Sequence, residues 1–227
     1  MNMNERSFIY QHDGGQMSAP ARQSTPKGTQ TAAKVRAAAL KLFARNGYAA
    51  VSMREVAQNV GVQPGALYNH FATKQDILKD LMLAHMADLI SAWEREAANK
   101  SSGADPLDTF VRFHIRYHLE KRDEVFVSYM ELRNLEPDNY QQVGAERRRY
   151  ETILTDILSA GAKSGRYQVK DAKVATRAII AMLTGIPSWY QPGGALDPTE
   201  IENLYAALVQ RSVGSAANAN TIGERVS

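Results

Sequence analysis

Cysteine is absent from the 227-residue chain, which excludes disulfide bonds and thiolate metal sites and fits a reducing compartment. No apolar run approaches the roughly 18 residues that a membrane-spanning helix needs. The amino terminus lacks the apolar core of a secretory signal. The alternation of period two that is typical of strands is also missing. We therefore expect an all-α protein that works in the cytoplasm and has no membrane partner.

Acidic residues are scarce in one part of the chain. Between Lys27 and Gln75 there are seven basic residues and a single acid, Glu55, whereas acids outnumber bases from Asp76 onward. A basic lobe on a mildly acidic body is the electrostatic pattern of a DNA-binding domain joined to a domain with another role.

The stretch 52–74, SMREVAQNVGVQPGALYNHFATK, predicts two short helices separated by a tight turn. Ser52 begins the S-x-x-E spacing of a helix capping box, and Gly61 stands where a helix ends in a left-handed residue. Pro64 suits the first turn of the next helix, which we expect to span Pro64–Phe71. Two helices joined in this way form a helix-turn-helix, whose second helix enters the major groove of DNA.

Together with Thr31–Tyr48, this stretch resembles the amino-terminal domain of TetR-type, or AcrR-like, transcriptional repressors. The family usually has Ser, Thr or Asp where Gln63 stands. Glutamine is a poor helix cap, so either this helix start is weaker or Gln63 is free for base contact. The matching residues are Ala38, Ala39, Leu42, Phe43, Gly47, Tyr48, Val56, Ala57, Gly61, Val62, Gly65, Leu67, Tyr68, His70, Phe71 and Lys74.

The resemblance implies a DNA-contacting surface on and around the second helix. Phosphate contacts fix the position of such a protein, and base-edge contacts give it sequence preference. The expected DNA-binding residues are Tyr68, His70 and Lys74 at phosphates, Gln63, Gly65, Ala66 and Asn69 at base edges, Arg54 reaching in from the preceding helix, and Ser52 and Pro64 beside them.

Helical periodicity continues to near the carboxy terminus and predicts about nine helices. Residues 1–28 and 214–227 are expected to be disordered tails. Residues 29–75 form the expected helix-turn-helix domain, and residues 76–213 the expected ligand-binding and dimerisation domain. Because an operator with two half-sites needs two DNA-reading heads, we expect a homodimer through the last two helices. An ordinary intrachain core is the alternative for the small residues of the penultimate helix.

Two arginines fall on otherwise apolar helical stripes, Arg147 near Tyr150 and Arg133 near Tyr129 and Met130. Arginines at such places usually extend outward or pair with a nearby acid, and burial statistics favour that interpretation. The alternative is an anchor for an anionic ligand in an apolar cavity. The candidate ligand-binding residues are Phe110, Phe113, His114, Tyr117, Met130, Arg133, Arg147 and Trp189.

His114 and His118 are four residues apart, the spacing of a two-histidine metal face. The sequence places no third ligand, and a hydrogen-bonding role in the core or in a pocket is the favoured interpretation of His114. No G-x-S-x-G, H-E-x-x-H, Walker loop or dinucleotide-binding motif is present, and the S-x-x-K match at residues 24–27 is a chance match in the expected tail. We expect no metal and no cofactor.

The carboxy-terminal part is similar to the branch of the family that represses fatty-acid or steroid catabolism and senses acyl-coenzyme A thioesters. The similarity implies an amphipathic anion as inducer. It rests on Leu135, Arg147–Tyr150, Gly161, Gly165, Asp171 and the run Trp189-Tyr190-x-Pro192-x-Gly194.

The sequence therefore predicts a dimeric repressor, not an enzyme, that a small molecule releases from its operator. Two alternatives remain at this point. One is an enzyme that uses a carboxy-terminal cavity and carries the DNA-binding domain as a passenger. The other is a DNA-binding protein that responds to no ligand.

Overall fold

The computed structural model describes residues 26–101 and 103–214, with side chains described from residue 30 onward. These residues form nine α-helices and two short 3-10 helices, with no strand among them, and the predicted all-α class is confirmed. Nearly all of the two predicted disordered tails lies outside the described residues. None of the described helices is both long and apolar enough to cross a membrane.

The first helix begins earlier than predicted. Residues 26–28 belong to it rather than to the predicted tail, since proline needs no hydrogen-bonding N–H in the first turn. The α-helices are α1 (Pro26–Asn46), α2 (Met53–Val60), α3 (Pro64–Tyr68), α4 (Lys74–Asn99), α5 (Pro106–Glu120), α6 (Arg122–Met130), α7 (Pro137–Lys163), α8 (Ala172–Thr184) and α9 (Pro198–Ser212), and the 3-10 helices are Leu132–Asn134 and Ile186–Ser188.

Local capping explains the ends of α2 and the start of α4. The Ser52 hydroxyl accepts the Glu55 N–H at 3.1 Å, and Gly61 ends α2 in the left-handed region with φ of 77°. At α4 the side chains of Thr73 and Asp76 each accept the other's backbone N–H, forming a full capping box.

Helix α3 is shorter than predicted and ends at Tyr68 rather than at Phe71. The Leu67 carbonyl accepts the N–H groups of both His70 and Phe71, at 2.9 and 3.1 Å, which closes the helix in a turn. The Gln63 side chain makes no capping hydrogen bond, as expected of a poor cap.

Helix α4 takes part in two hydrophobic cores. Its first turns place Ile77, Leu78 and Met82 in a core with α1, α2 and α3, and its later turns place Leu89 and Trp93 in the core of the larger body. The first core also contains Val127, Leu135 and Val143, which come from α6, α7 and the segment between them. The packing therefore does not divide at residue 75, and α6 and α7 contact the core formed by α1, α2 and α3 directly.

Candidate functional site

The outer surface of α3 is open to solvent. Tyr68 is 53% exposed, and Gln63, Gly65 and Asn69 are exposed as well. Leu67 is fully buried and anchors the helix in the amino-terminal core. The predicted base-reading side chains are thus accessible on a helix whose position is fixed from behind.

Gly65 has no reason within the chain to be glycine. A methyl group built there meets no atom within 4 Å, and its φ is not positive. Glycine in a helix costs about 0.5–1 kcal/mol relative to alanine. A close approach by another molecule would explain why this residue is glycine, and a DNA duplex is one such molecule.

Lys74 is bonded inside the protein, which the sequence did not indicate. Its ammonium donates to the carbonyls of Tyr48 at 2.9 Å and Val51 at 2.8 Å and lies 4.2 Å from the centre of the Tyr48 ring. Burial lowers the pKa of Lys74, although the charge of Glu131 opposes this. Two of its three N–H bonds therefore tie the α1–α2 loop to α4.

The other predicted DNA-binding residues lie around these. Ser52 is exposed but its hydroxyl is engaged in the cap of α2. Arg54 and Pro64 are exposed, and Ala66 and His70 are half-buried.

A polar junction joins the DNA-reading helices to α6. The buried carboxylate of Glu131, directly after α6, accepts the Tyr48 N–H at 3.1 Å and a side-chain N–H of Asn134. The Gln75 amide donates to the Tyr48 hydroxyl at 3.0 Å and to the Asn134 carbonyl at 2.6 Å. The hydrogen bonds Tyr48–Glu131 and Gln75–Asn134 join residues 83 and 59 positions apart, so no local sequence pattern could reveal this junction.

A groove runs along α6, α8 and the 3-10 helix Ile186–Ser188. It consists of two adjoining hollows with cavity volumes of about 210 and 400 Å³. Tyr129, Met130 and Thr184 border both hollows, which therefore lie side by side. Arg122 lines the first hollow, and Arg147, Arg177 and Glu151 line the second.

The arginines of the groove are held by rings and carbonyls. The Arg147 guanidinium lies 4.2 Å from the centre of the Tyr129 ring, and its Nη1 is 3.4 Å from the Ser128 carbonyl. Arg122 donates to the carbonyls of Pro187 and Tyr190 at 3.1 and 3.0 Å. Neither guanidinium is neutralised by these contacts, so both keep a positive charge at the groove.

Several predicted ligand-binding residues lie in the core instead of in this groove. Phe110 is fully buried and packs edge-on to Trp93, with ring centres 5.1 Å apart. Phe113 is buried 5.5 Å from the same ring, and Tyr117 is half-buried beside Phe113. Their periodic spacing marked the inward face of α5, and that face is filled by core packing.

Two further candidates also lie away from the groove. Arg133 is exposed on the 3-10 helix Leu132–Asn134, because α6 ends before it and the tighter turn removes it from the apolar stripe. Trp189 borders a separate hollow and stacks on Tyr205 at 6.4 Å. Of the eight predicted ligand residues, Met130 and Arg147 line the groove.

Three buried histidines meet behind the groove wall. His114 is fully buried, with Nδ1 3.1 Å from the Tyr150 hydroxyl and Nε2 3.3 Å from the Thr184 hydroxyl. Its ring stacks on that of His118 at 3.7 Å, and His85 of α4 stands 6.3 Å from His118. In residues 26–101 and 103–214, no group of three or more His, Asp or Glu side chains could hold a metal ion.

Burial governs the protonation of these histidines. Desolvation lowers the pKa of His114 to about 3 and that of His85 to about 4, and the charges of Arg147 and Lys121 lower the latter further. Desolvation also lowers the pKa of His118 well below its usual value. All three imidazoles are therefore neutral at pH 7.

An apolar face is exposed on the last two helices. Val174 is 60% exposed on α8, and Leu204 and Leu208 are exposed on α9. Ala178 and Ala181 of α8 are exposed as well, so the described chain does not use these residues as an intrachain core. Such a surface is typical of a helix–helix interface between subunits.

Both parts of the chain match sequence profiles of one family. Residues 35–81 match the profile described as "Bacterial regulatory proteins, tetR family", and residues 100–213 match "Tetracyclin repressor-like, C-terminal domain". The fold is similar to the crystal structure of a bacterial regulatory protein in the tetR family from Rhodococcus RHA1. That similarity covers 82% of this chain and 98% of the other at 32% identity, with a TM-score of 0.76.

Two more distant similarities concern proteins of named role. The "Fatty acid metabolism regulator protein" of Bacillus subtilis (strain 168) is 25% identical over 174 residues, which are 76% of this chain and 90% of that protein. The structure titled "AibR in complex with isovaleryl coenzyme A and operator DNA" has a TM-score of 0.72 at 21% identity, covering 82% of this chain and 99% of the other. At that identity it supports the fold.

Proposed function

The chain belongs to the tetR family of bacterial regulatory proteins and is a DNA-binding transcriptional regulator, and from this premise we propose how it is controlled. It acts in the cytoplasm as a homodimeric repressor. An acyl-coenzyme A or a related amphipathic anion binds along the groove and releases it from its operator.

The DNA side of the proposal rests on α3 and its surroundings. Exposed Gln63 and Asn69 supply amide groups that can pair with base edges, and Tyr68 and the free N–H of Lys74 supply phosphate contacts. Gly65 leaves room for the groove wall. The basic charge of this part of the chain favours any duplex, and the amides give preference among sequences.

The exposed apolar face of α8 and α9 supports the dimer. Burying Val174, Leu204 and Leu208 against the same face of a second copy removes apolar surface from water. A symmetric pair presents two α3 helices, as an operator with half-sites about 34 Å apart requires.

The chemistry of the groove supports an amphipathic anion. Arg122, Arg147 and Arg177 provide positive charge that exceeds the two carboxylates Asp123 and Glu151, and Met130, 52% exposed, provides apolar contact. Guanidinium groups bind phosphates and carboxylates in a forked geometry. The relatives named for fatty acid metabolism and for a complex with isovaleryl coenzyme A are consistent with this ligand class.

One observation carries the regulatory part of the proposal. Tyr129 and Met130 line the groove, and the next residue, Glu131, holds the Tyr48 N–H at the DNA-reading end. A ligand that displaces the end of α6 therefore moves a hydrogen-bond partner of the α1–α2 loop. Because Lys74 ties the same loop to α4, the shift changes the position of α3.

The same groove is a poor place for catalysis. Among the described residues that line the groove, one hydroxyl contacts an imidazole, and it is that of Thr184, which contacts His114. A general base works best with a pKa near the operating pH, whereas burial lowers the pKa of His114 to about 3. We therefore assign the groove to ligand sensing rather than to an enzyme reaction.

A direct binding assay tests the proposal. Fluorescence anisotropy of DNA from upstream of the protein's own gene is measured with wild type, with and without saturated acyl-coenzyme A thioesters of 4 to 18 carbons. We expect at least one thioester to weaken DNA binding by tenfold or more, and Arg147→Ala to require more thioester for the same effect. Specific DNA binding that none of these thioesters alters would contradict the ligand response and leave a ligand-insensitive regulator.

A further inference from the structure

The three buried histidines carry more hydrogen-bonding capacity than the protein uses. Both ring nitrogens of His85 and the Nε2 of His118 are buried with no partner. His85 is 3% exposed and His118 is fully buried, so neither ring is turned to bulk water. Buried polar atoms without partners destabilise a fold, and most proteins pair nearly all of them.

The remaining contacts fix what each nitrogen offers. His118 Nδ1 lies 2.8 Å from the His114 carbonyl, which can only accept, so Nδ1 carries the proton and Nε2 is an acceptor. His85 is neutral and offers one donor and one acceptor. A group that both donates and accepts, such as a hydroxyl, can therefore serve both rings, whereas a carbonyl can serve His85 alone.

The cluster lies one side chain behind the groove. Thr184 borders the groove and contacts His114 Nε2, and Tyr129 borders it with its ring 6.1 Å from that of His118. The rings of His85 and His118 are nearly perpendicular, with centres 6.3 Å apart. This distance between ring centres is compatible with one oxygen atom hydrogen-bonded to a nitrogen of each ring.

We propose that His85 and His118 form a polar inner subsite that binds a hydroxyl group on the acyl part of the inducer. This inference rests on the proposed function and specifies its ligand as an oxygenated acyl thioester rather than a plain saturated one. The hydroxyl donates to His118 Nε2 and accepts the N–H of His85. His114, which already has the partners Tyr150 and Thr184, holds the His118 ring in place by stacking.

Neutral imidazoles suit such a subsite. An anion would call for charged partners, and the arginines of the groove supply those at the other end of the ligand. A saturated chain would leave the same nitrogens unpaired and gain nothing from them. A site built to pair a hydroxyl discriminates against the analogue that lacks it far more strongly than an apolar pocket discriminates by size.

Matched ligand pairs test the subsite. Decanoyl-coenzyme A and dodecanoyl-coenzyme A are titrated calorimetrically against the full chain beside their ω-hydroxy and ω-oxo counterparts. We expect an ω-hydroxy thioester to bind at least tenfold more tightly than its saturated partner, with the ω-oxo form between them. Equal or tighter binding of every saturated thioester would overturn the inference while the proposed function stands.

Variants assign the preference to the two rings. His85→Phe and His118→Phe keep an aromatic ring and remove the nitrogens, so each should lower the hydroxyl preference below threefold and leave saturated thioesters bound as well or better. Thr176→Val is the matched control, because it removes a buried hydroxyl on α8 that pairs with Thr155 instead. It should keep the full preference. A preference that survives in both phenylalanine variants would overturn the inference.

Nuclear magnetic resonance of wild type labelled with nitrogen-15 in its histidines covers the case in which a variant does not fold. The ω-hydroxy thioester should shift His118 Nε2 and the saturated one should not. Cyclohexanol and methylcyclohexane repeat the comparison without coenzyme A. If cyclohexanol shifts the His118 Nε2 resonance while no thioester binds, the result supports the subsite and counts against the acyl-coenzyme A proposal. Shifts caused by zinc chloride at one equivalent, but by neither cyclohexanol nor the ω-hydroxy thioester, would reassign the nitrogens to a metal and overturn the inference.

Discussion

Replacing Lys74 with methionine tests the link between the DNA-reading helices and α4. The variant keeps the aliphatic stem and removes the two N–H···O bonds to the Tyr48 and Val51 carbonyls. Hydrogen bonds from a charged group contribute about 1.5–3 kcal/mol each when buried, and partial exposure reduces this. Since Lys74 is half-buried, we expect the free energy of unfolding to fall by about 2 kcal/mol in total.

Two assays separate the internal role of Lys74 from its DNA contact. Urea unfolding should show the lost stability. For a chain of this size, the same loss corresponds to a melting temperature lower by about 4–8 °C. DNA affinity measured from low to high salt should show a slope smaller by about one unit, because the third N–H no longer neutralises a phosphate.

Lys79→Met is the matched control for this prediction. Lys79 lies on the same helix and is 3.7 Å from the Asp76 carboxylate in a surface ion pair. Such a pair contributes about 0–1 kcal/mol, so the control should barely change stability. If Lys74→Met is as stable as Lys79→Met, the two carbonyl contacts do not hold the loop. If its salt slope equals that of wild type, Lys74 does not bind a phosphate.

Three further predictions follow from the same structure. Gly65→Ala should leave the free energy of unfolding unchanged or raise it by up to about 1 kcal/mol, yet weaken DNA binding at least about tenfold. The control Gly144→Ala, in α7, should leave DNA binding unchanged. Equal DNA affinities for the two variants would remove the argument that DNA approaches Gly65 closely. Gly161→Ala should destabilise the fold by about 1–3 kcal/mol in urea, because its new methyl group would lie 2.0 Å from the Tyr167 ring, and wild-type stability would contradict that packing. Through His85 alone, the free energy of unfolding should also fall by roughly 1.5 kcal/mol between pH 6.5 and 5. The unfolded chain takes up a proton in this range, whereas folded His85, with its pKa lowered by burial to about 4, does not. A flat profile in urea titrations at pH 5, 6 and 7.5 would contradict neutral burial.

The sequence predicted the helices well because their signals are local. Periodic apolar residues and the caps at Ser52 and Thr73 depend on neighbours within four positions, and the structure shows both caps. The end of α3 was missed because a turn through the Leu67 carbonyl competes with one more helical turn. Local propensity does not decide between two such short-range hydrogen-bond patterns.

The groove was harder to predict because it depends on tertiary packing. The sequence places Arg133 and Arg147 on apolar stripes, but in the structure a 3-10 turn exposes Arg133 while Arg147 lines the groove. The spacing of His114 and His118 correctly places them on one face of α5, where their rings stack. Nothing in the sequence indicates that His85, on another helix, completes the cluster.

Thermodynamic reciprocity between DNA and inducer tests the central claim most directly. If a thioester weakens operator binding 100-fold, the coupling free energy is about 2.7 kcal/mol, and operator DNA must weaken thioester binding by the same factor. The measurement is a calorimetric titration of that thioester into the free protein and into the protein saturated with operator. We predict dissociation constants that differ by the factor seen in the DNA assay. A thioester dissociation constant that is the same with and without operator would contradict a ligand-released repressor.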